Sequence, residues 1–594
     1  MDTMGDSEQQ SASRTLAKAM RRQAVPFSFF AHPLWKEFFT TIRPTFRLPP
    51  PDVIGGNLLD LEYMAVQSKA LQIVRTFRVI CITIDGVTTT TGNQVLNVMA
   101  CGPAAIFIEH FCMDLSSESA ANLLVKLTSI KDRLIVALYP PCNRDNDVPD
   151  PAIAAADLLW TVCTDNPNVM QFLRKMCVDS GHYTFEFGCS PHAMHNLCKD
   201  LLKMAEPRSI LGKVLIVVKG IRNVHLLTSM FDMLCIQKLN SSYVLILFTT
   251  SRWTTSTFAL KRLFLVKQVL VAMPHSIDHD DIFRAVSMCA ELRNIILDPI
   301  FWKDVAALHH LLLPLNACTG YLEGDDATLS VVYACLLEVA HRFQTIDGDL
   351  LLQLRIKRAT LIELVHYRFS AIFSPAHALA LMTDPLFADM AVNLKRVHGS
   401  RFVELGQGPI MAHCREALRQ IAKDDEGLGD KLTEEFASFM QRRVGKDSYF
   451  HVMRFMKPGL IWAQMDEQQY QHLAPVLVKL HGNPAGAVGG ERNHKTTKRV
   501  QSQQRVRLKH GKVEKQVSIA YNSAIMERTV ENKRSGSFIT KLAALGSEQA
   551  ALFDDESEDE NFDDDFRDAN IGLGADHVLD EFLYEEVLEE ESVV

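Results

Sequence analysis

Hydrophobic and polar positions along this 594-residue chain predict helices near the N-terminus, then a group of strands, and then mostly helices. The stretch RVICITIDG, residues 78–86, is an apolar, β-branched run that ends on a carboxylate, Asp85. A run of this kind predicts a buried strand. The segments QVLNVMAC and AAIFIEHFCMD follow as two short β-rich runs joined by Gly102-Pro103. Three consecutive antiparallel strands are therefore expected.

Helices and strands alternate after these three runs. SESAANLLVKLTSI predicts an amphipathic helix with a serine cap, and DLLWTVCTDN predicts a fourth strand that ends at Asp165. A helix, the strand HYTFEFG and another helix complete the pattern. This order resembles the ribonuclease H-like arrangement. Because the first and fourth strands of such a mixed sheet lie side by side, we expect Asp85 and Asp165 to meet at one end of it.

The whole chain is expected to be an α/β protein whose mixed five-stranded, ribonuclease H-like sheet is interrupted by a large all-α insertion domain. Prolines 49–51 force an extended break near the N-terminus, and the residues between Trp253 and about Phe455 carry helical periodicity almost throughout. The predicted segments are a disordered N-terminus (1–22), a helical N-terminal segment (23–74), the first part of the core (75–251), the all-α insertion (252–455), the second part of the core (456–530) and a disordered acidic tail (531–594).

The composition is that of an ordinary soluble globular protein, with 47% hydrophobic and 22% charged residues. No uncharged apolar run is long enough to predict a membrane span, and the polar start MDTMGDSEQQ does not predict secretion. Thirteen cysteines are scattered without CxxC pairs. Buried thiols in a reducing compartment explain them better than disulfides, so an intracellular protein is expected.

Charge is segregated along the chain. From Asp554 to the end there are eighteen acidic residues and one basic residue, Arg567, so this tail carries −17 and the other 553 residues carry +8. The segment from Glu491 to Lys515 holds nine Lys or Arg against two Glu. Such a concentration suits a phosphate backbone, although a solvated helix face is the alternative interpretation.

The strand-end carboxylates have two interpretations. Asp85-Gly86 is a favoured hairpin dipeptide, so Asp85 alone is typical of a turn. Asp85 and Asp165 together are different, because two carboxylates at one place repel each other unless a cation lies between them. Hard oxygen ligands suit Mg²⁺. The pair predicts a metal site.

Five ordered blocks over about residues 25–525 resemble the hAT superfamily of DNA transposases, in the form typical of domesticated or degenerate copies. The blocks are VPFSFFAHPLWKEFFTTIRPTFRLPPP, TIDGVTTTTGNQ with CTDNPNVM, CSPHAMHNLCKDLL, SRWTTSTFALKRL and GNPAGAVGGERNHKTTKRVQSQQRVRLKHGKVEKQVSIAYN. The last resembles the family's C-terminal dimerisation block. The resemblance implies a nucleus-located, DNA-binding protein that forms a homodimer or a higher homo-oligomer.

The resemblance also implies a catalytic Asp-Asp-Glu triad of Asp85, Asp165 and Glu491, which would hold Mg²⁺ or Mn²⁺ for DNA strand cleavage and transfer. Trp253 would lie near this site and stack on a base, or Arg252-Trp253 would merely anchor a helix. The residues expected to contact DNA are Arg252, Trp253, Arg492, Lys495, Lys498, Arg499, Arg505 and Arg507.

Cys189 and His192 form a Cys-x-x-His motif with a further histidine, His195, one helical turn on. Zinc is disfavoured here, because three ligands on one helix without a second cluster leave tetrahedral coordination incomplete. A structural role for Cys189 and His192 is expected instead, with His195 as a surface or packing residue.

Several departures from the family pattern leave two hypotheses open. Val87 stands where a tryptophan is usual, Val506 replaces an asparagine, and no cysteine precedes Cys81 to build a BED-type zinc finger. The chain is either a divalent-metal-dependent transposase or a domesticated, non-catalytic, dimeric DNA-binding or regulatory protein. Hydrophobic residues interleaved with acids make the tail either a segment for a protein partner or a solubilising extension.

Overall fold

The structure is a computed structural model. It describes residues 3–23, 25–88, 94–113, 119–140, 158–248, 253–324, 327–387, 407–423, 425–442, 456–465, 469–501 and 508–528. The loop PPCNRDNDVPDP and the acidic tail lie outside the described residues.

The N-terminal half contains the sheet. Its elements are α1 (Asp6–Arg22), α2 (Pro33–Ile42), α3 (Pro51–Ile54), α4 (Asn57–Val74), β1 (Val79–Thr88), β2 (Gln94–Cys101), β3 (Ala105–Cys112), α5 (Ala120–Leu138), β4 (Leu159–Thr164), α6 (Asn168–Asp179), β5 (Phe185–Gly188), α7 (Ser190–Lys203), α8 (Ala205–Arg222) and α9 (His225–Leu239).

The rest of the described chain is helical. Its elements are α10 (Trp253–Leu265), α11 (Lys267–His279), α12 (Ala290–Leu297), α13 (Pro299–Leu322), α14 (Leu329–Thr345), α15 (Gly348–Gln353), α16 (Arg358–Ser370), α17 (Pro375–Thr383), α18 (Gln407–Ala422), α19 (Glu426–Arg442), α20 (Pro458–Trp462), α21 (Leu473–Leu480), α22 (Val488–Val500) and α23 (His510–Met526), with short 3₁₀ turns between some of them.

The five strands form one mixed sheet in the order β3-β2-β1-β4-β5. β1 pairs antiparallel with β2, and β2 pairs antiparallel with β3. β1 pairs parallel with β4, and β4 pairs parallel with β5. The prediction of an α/β fold with a five-stranded mixed sheet is confirmed, and so is the adjacency of the first and fourth strands.

Both faces of this sheet are buried, which explains the nearly continuous apolar runs in its strands. Alternate β1 residues contribute to two hydrophobic clusters, with Val79 and Cys81 in one and Ile80, Ile82 and Ile84 in the other. The second cluster is closed by α5 and α6. The first continues without a break into the helical region, so the sheet and those helices share one core.

Residues 1–22 were expected to be disordered, and this is wrong for residues 6–22, which form α1. Ala17 and Met20 of α1 are buried in a small cluster with Ile54. Arg21, which is 2% exposed, donates to the backbone oxygen of Ile54 at 3.0 Å. The polar composition concealed this helix because its packing partner lies more than thirty positions away.

The last helix, α23, packs on its own chain. It lies in the segment that resembles the dimerisation block, and its Val513, Val517 and Ile519 are all buried within the chain. Ile519 shares a cluster with Leu59 of α4. Asn522 donates to the oxygen of Phe107 at 3.0 Å and accepts from its nitrogen at 2.9 Å. These residues therefore hold α23 to β3 and do not supply a contact between copies.

Two further observations concern the state of the cysteines and the presence of helices that could span a membrane. The described cysteines are free thiols, and each is buried except Cys289. No helix among the described residues is both long and apolar enough to cross a membrane.

Candidate functional site

Asp85 and Asp165 lie next to each other at one end of the sheet. In the parallel β1–β4 pair Ile84 is level with Thr164, so the two aspartates follow at equivalent positions on neighbouring strands. Asp85 is only 4% exposed, and Asp165 is partly buried just beyond β4. The sheet register thus brings together two carboxylates that are eighty positions apart.

Helix α22 brings Glu491 to the same end of the sheet because two glycines let it lie very close to the strands. A Cβ atom on Gly490 would lie 2.8 Å from the Cβ of Asp85 and 3.2 Å from its Oδ2. A Cβ on Gly489 would lie 2.6 Å from the Cβ of Ala105. Glu491 follows directly in the first turn of α22. The structure therefore brings all three predicted acids to one region.

The surroundings of Asp85 and Asp165 shift the pKa values of both carboxyl groups. Burial above all, with the like charges of Glu491 and Asp165, raises the pKa of Asp85 to about 7, and His192 opposes the rise. Burial also raises the pKa of Asp165, and the neighbouring His192 and Arg174 oppose the rise. The Oδ2 of Asp85 and the Oδ1 of Asp165 are buried and have no hydrogen-bond partner among the residues that the structure describes. Buried carboxylate oxygens without partners are chemically suited to binding a hard cation.

Two histidines flank the acids. The Nδ1 of His494 lies 3.6 Å from the Oδ2 of Asp85. Burial first, and then Lys498 and His192, lower the pKa of His494 to about 4, so its imidazole is neutral at pH 7. The Nε2 of His192 lies 3.5 Å from the Oε1 of Glu491. The Glu491 carboxylate is therefore oriented toward His192 in this structure.

Arg174 fixes the end of β4. Its buried guanidinium donates to the Oγ1 of Thr164 at 2.8 Å, to the backbone oxygen of Asp165 at 2.7 Å and to the backbone oxygen of Ala371 at 2.7 Å. It also pairs with Glu186 at 2.9 Å. Because these bonds reach β4, β5 and the helical region, Arg174 is a positioning residue for the Asp165 backbone.

Cys189 and His192 occupy the start of α7, beside the acids. Cys189 is the N-cap residue of α7, and its buried Sγ accepts from the backbone nitrogen of Ala487 at 3.3 Å. A Cβ on Gly486 would lie 2.9 Å from that sulfur. Burial raises the pKa of the Cys189 thiol well above its usual range. Cys189 at the start of α7 thus contacts the segment that leads into α22, and its structural role stays a prediction.

One group of side chains meets a geometric criterion for metal binding. The ligand atoms of Cys189, His192 and Glu491 all lie within 4.8 Å of one another, and no other such group occurs among the described residues. The three acids do not form such a group in this arrangement. A cation held by all three carboxylates would therefore require Glu491 to turn from His192 toward Asp85.

The predicted DNA-contacting residues divide into described and undescribed sets. Helix α22 buries Asn493 and Thr497 against the sheet, and its opposite side carries exposed basic residues. The exposed basic residues are Lys495, Lys498 and Arg499. Arg492 is partly exposed and donates a hydrogen bond to the backbone oxygen of Glu323 at 2.8 Å. Trp253 begins α10, but its side chain and the residues Arg252, Arg505 and Arg507 lie outside the described part of the chain.

Glu323, at the end of α13, joins the site and had no signal in the sequence. Burial and the neighbouring charge of Glu491 raise the pKa of Glu323 to about 7, although much of the residue surface is exposed and solvent screens this effect. The role of Arg174 was also missed, since a lone arginine in an amphipathic helix is typical of a solvated face. Only the fold reveals that these residues lie near the acids.

In comparisons with known proteins, no family model and no curated protein matches this chain.

Proposed function

We propose that this chain is a hAT-transposase-like protein that binds DNA and holds Mg²⁺ or Mn²⁺ between Asp85, Asp165 and Glu491. The main support is the meeting of two strand-end aspartates with an acid delivered by α22 from a distant part of the sequence. The strand order and the helices from Trp253 to Arg442 agree with a ribonuclease H-like core and the helical insertion of that family. The resemblance of the ordered sequence blocks supplies DNA as the substrate.

The residues present fit a hard divalent cation. Asp85 and Asp165 offer buried oxygens without hydrogen-bond partners, and Glu491 lies close enough to influence the pKa of Asp85. When bound, such a cation stabilises charge on a phosphodiester and lowers the pKa of an attacking water or 3′ hydroxyl. The chain's own residues bind the cation, orient it beside α22 and keep bulk water from the inner side of the site.

Phosphate binding is proposed for the exposed side of α22. Arg492, Lys495, Lys498 and Arg499 follow one another along a single helix that starts at the acids. Cations in this position would bind the backbone of a DNA strand whose phosphodiester lies over Asp85. Arg252, Trp253, Arg505 and Arg507 belong to this proposal through the family resemblance alone.

A cleavage assay tests the catalytic proposal. The purified full-length chain is incubated with Mg²⁺ or Mn²⁺ and a labelled duplex taken from the DNA that flanks its gene. Cleavage that requires the cation is expected, and Asp85→Asn should reduce it by at least about 100-fold because several kcal/mol of charge stabilisation are lost. Asp304→Asn is the matched control, since Asp304 is a buried carboxylate that binds Gln353 in the helical region. Equal cleavage by the parent and Asp85→Asn would contradict the proposal.

A second candidate is a domesticated, non-catalytic DNA-binding protein. It is favoured by one observation, namely that Glu491 is grouped with Cys189 and His192 and not with the aspartates. This candidate expects duplex binding without cleavage in either metal. Self-association, nuclear location and a protein partner for the acidic tail are proposals common to both candidates. The side chains of Val513, Val517 and Ile519 are buried within the chain in this arrangement, and light scattering of the purified protein tests whether it self-associates.

A further inference from the structure

Glu491 lies between two sets of ligands of different chemical character. On one side are the oxygens of Asp85 and Asp165, and on the other are the Sγ of Cys189 and a ring nitrogen of His192. Sulfur and imidazole favour zinc and similar metals, whereas carboxylates alone favour magnesium and manganese. Cys189 and His192 therefore offer a different metal preference from that of the acids.

The spacing of the Cys189 side fits a tetrahedral ion. Zinc bonds of about 2.0–2.2 Å to nitrogen and oxygen place two tetrahedral ligands about 3.4 Å apart. The Nε2 of His192 and the Oε1 of Glu491 are 3.5 Å apart. The Cys189 ligand atom lies within 4.8 Å of both. The three ligand atoms are thus close enough to one another to share an ion.

The backbone around this corner is already fixed. Cys189 is held between the end of β5 and the N-terminus of α7. The Ala487 nitrogen donates to its sulfur, and Gly486 permits close approach of the segment that leads into α22. Glu491 and His192 side chains are each about one-third exposed, so an ion has access from solvent.

We propose that Cys189, His192 and Glu491 form a binding site for Zn²⁺ or a similar thiolate-preferring divalent cation, with water as the fourth ligand. The site was hidden from sequence spacing, because its third ligand comes from a segment three hundred positions away. An ion bound there holds Glu491 away from Asp85. Zinc is thus an antagonist of a cation at the acids, a consequence that rests on the proposed function, whereas zinc binding itself does not.

Cobalt absorption tests the site directly. Co²⁺ is added to the full-length chain carrying Cys289→Ser, which removes the exposed thiol among the described cysteines. A cobalt-to-thiolate charge-transfer band and stoichiometric displacement by Zn²⁺ are expected. Cys189→Ala should abolish the band, and Cys198→Ala should retain it, because Cys198 is equally buried on the same helix.

Two further variants keep the test decisive if Cys189→Ala fails to fold. His192→Asn changes a partly exposed side chain and should weaken zinc binding by more than about 10-fold, whereas Asp85→Asn should leave the cobalt band in place. A band that persists without Cys189, or one that is lost in Cys198→Ala, overturns the proposal. If Asp85→Asn loses cleavage but keeps the cobalt band, the zinc site and the site at the acids are distinct. If the parent itself does not cleave DNA, the proposed function fails, but the result for zinc binding still stands.

Discussion

The sheet end and helix α22 deliver acids to the same place by different physical means. Asp85 and Asp165 are positioned by register, since paired parallel strands keep equivalent residues level. Glu491 is positioned by close packing of a helix, and that packing exists only because Gly489 and Gly490 lack side chains. The positions of the two aspartates therefore follow from backbone pairing between β1 and β4. The position of Glu491 depends instead on the close approach of α22 to the strands, which a shift of a few tenths of an ångström would disturb.

The largest expected effect concerns the support of the sheet end. Arg174→Met removes a buried guanidinium that donates to Thr164 and to the backbone oxygen of Asp165, and it leaves the Glu186 carboxylate without this cation. We expect a loss of about 3–5 kcal/mol in the free energy of unfolding, measured by urea titration. Arg222→Met is the control, because Arg222 is partly buried and donates to the backbone oxygen of Leu245, and it should cost about 1 kcal/mol. Equal losses in both variants would contradict the positioning role of Arg174.

The next effect concerns charge at the sheet end. The pKa of Asp85 rises from 3.8 to about 7 on folding, so the folded chain binds more protons than the unfolded chain between these values. Protonated Asp85 therefore stabilises the folded chain relative to the ionised form, and this stabilisation is present at low pH and is lost as pH rises from about 4 to about 7. In metal-free buffer the free energy of unfolding of Asp85→Asn should therefore exceed that of the parent by about 2–4 kcal/mol at pH 8 and by almost nothing at pH 4.

The same urea titrations at both pH values measure this difference. Gly212→Ala serves as the control, because neither residue titrates, and its effect on the free energy of unfolding should be the same at pH 4 and pH 8. If the free energies of unfolding of the parent and of Asp85→Asn depended on pH in the same way, the pKa of Asp85 would not be raised in the folded chain.

A smaller effect concerns the packing of α22. Gly490→Ala places a methyl group about 2.8 Å from the Cβ of Asp85, so the helix or the strand must shift. We expect a loss of about 1–3 kcal/mol despite the better helix propensity of alanine. Gly212→Ala in α8 is the matched control, since nothing lies within 4 Å of its added Cβ, and it should gain about 0.5–1 kcal/mol. Stabilisation by both substitutions would refute the close approach of α22.

The sequence predicted much of the fold because the strands are short, apolar and ordered along the chain. Asp85 and Asp165 were predictable, since an acid that ends each of two adjacent strands must lie at one edge. Glu491 was identified through the family resemblance alone, and its approach to His192 and Cys189 depends on the packing of α22 against the sheet. Helix α1 and residue Glu323 were missed because their partners are distant in sequence and no local pattern marks them.

Manganese binding tests the central claim most directly, because it asks whether the acids hold a divalent cation at all. Free Mn²⁺ is followed by electron paramagnetic resonance during titration of the full-length chain. We predict one strong site in the parent and in Asp304→Asn, and at least about 10-fold weaker binding in Asp85→Asn and Asp165→Asn, as expected when a ligand is lost. Equal affinity in all four proteins would contradict the claim that Asp85 and Asp165 share a cation.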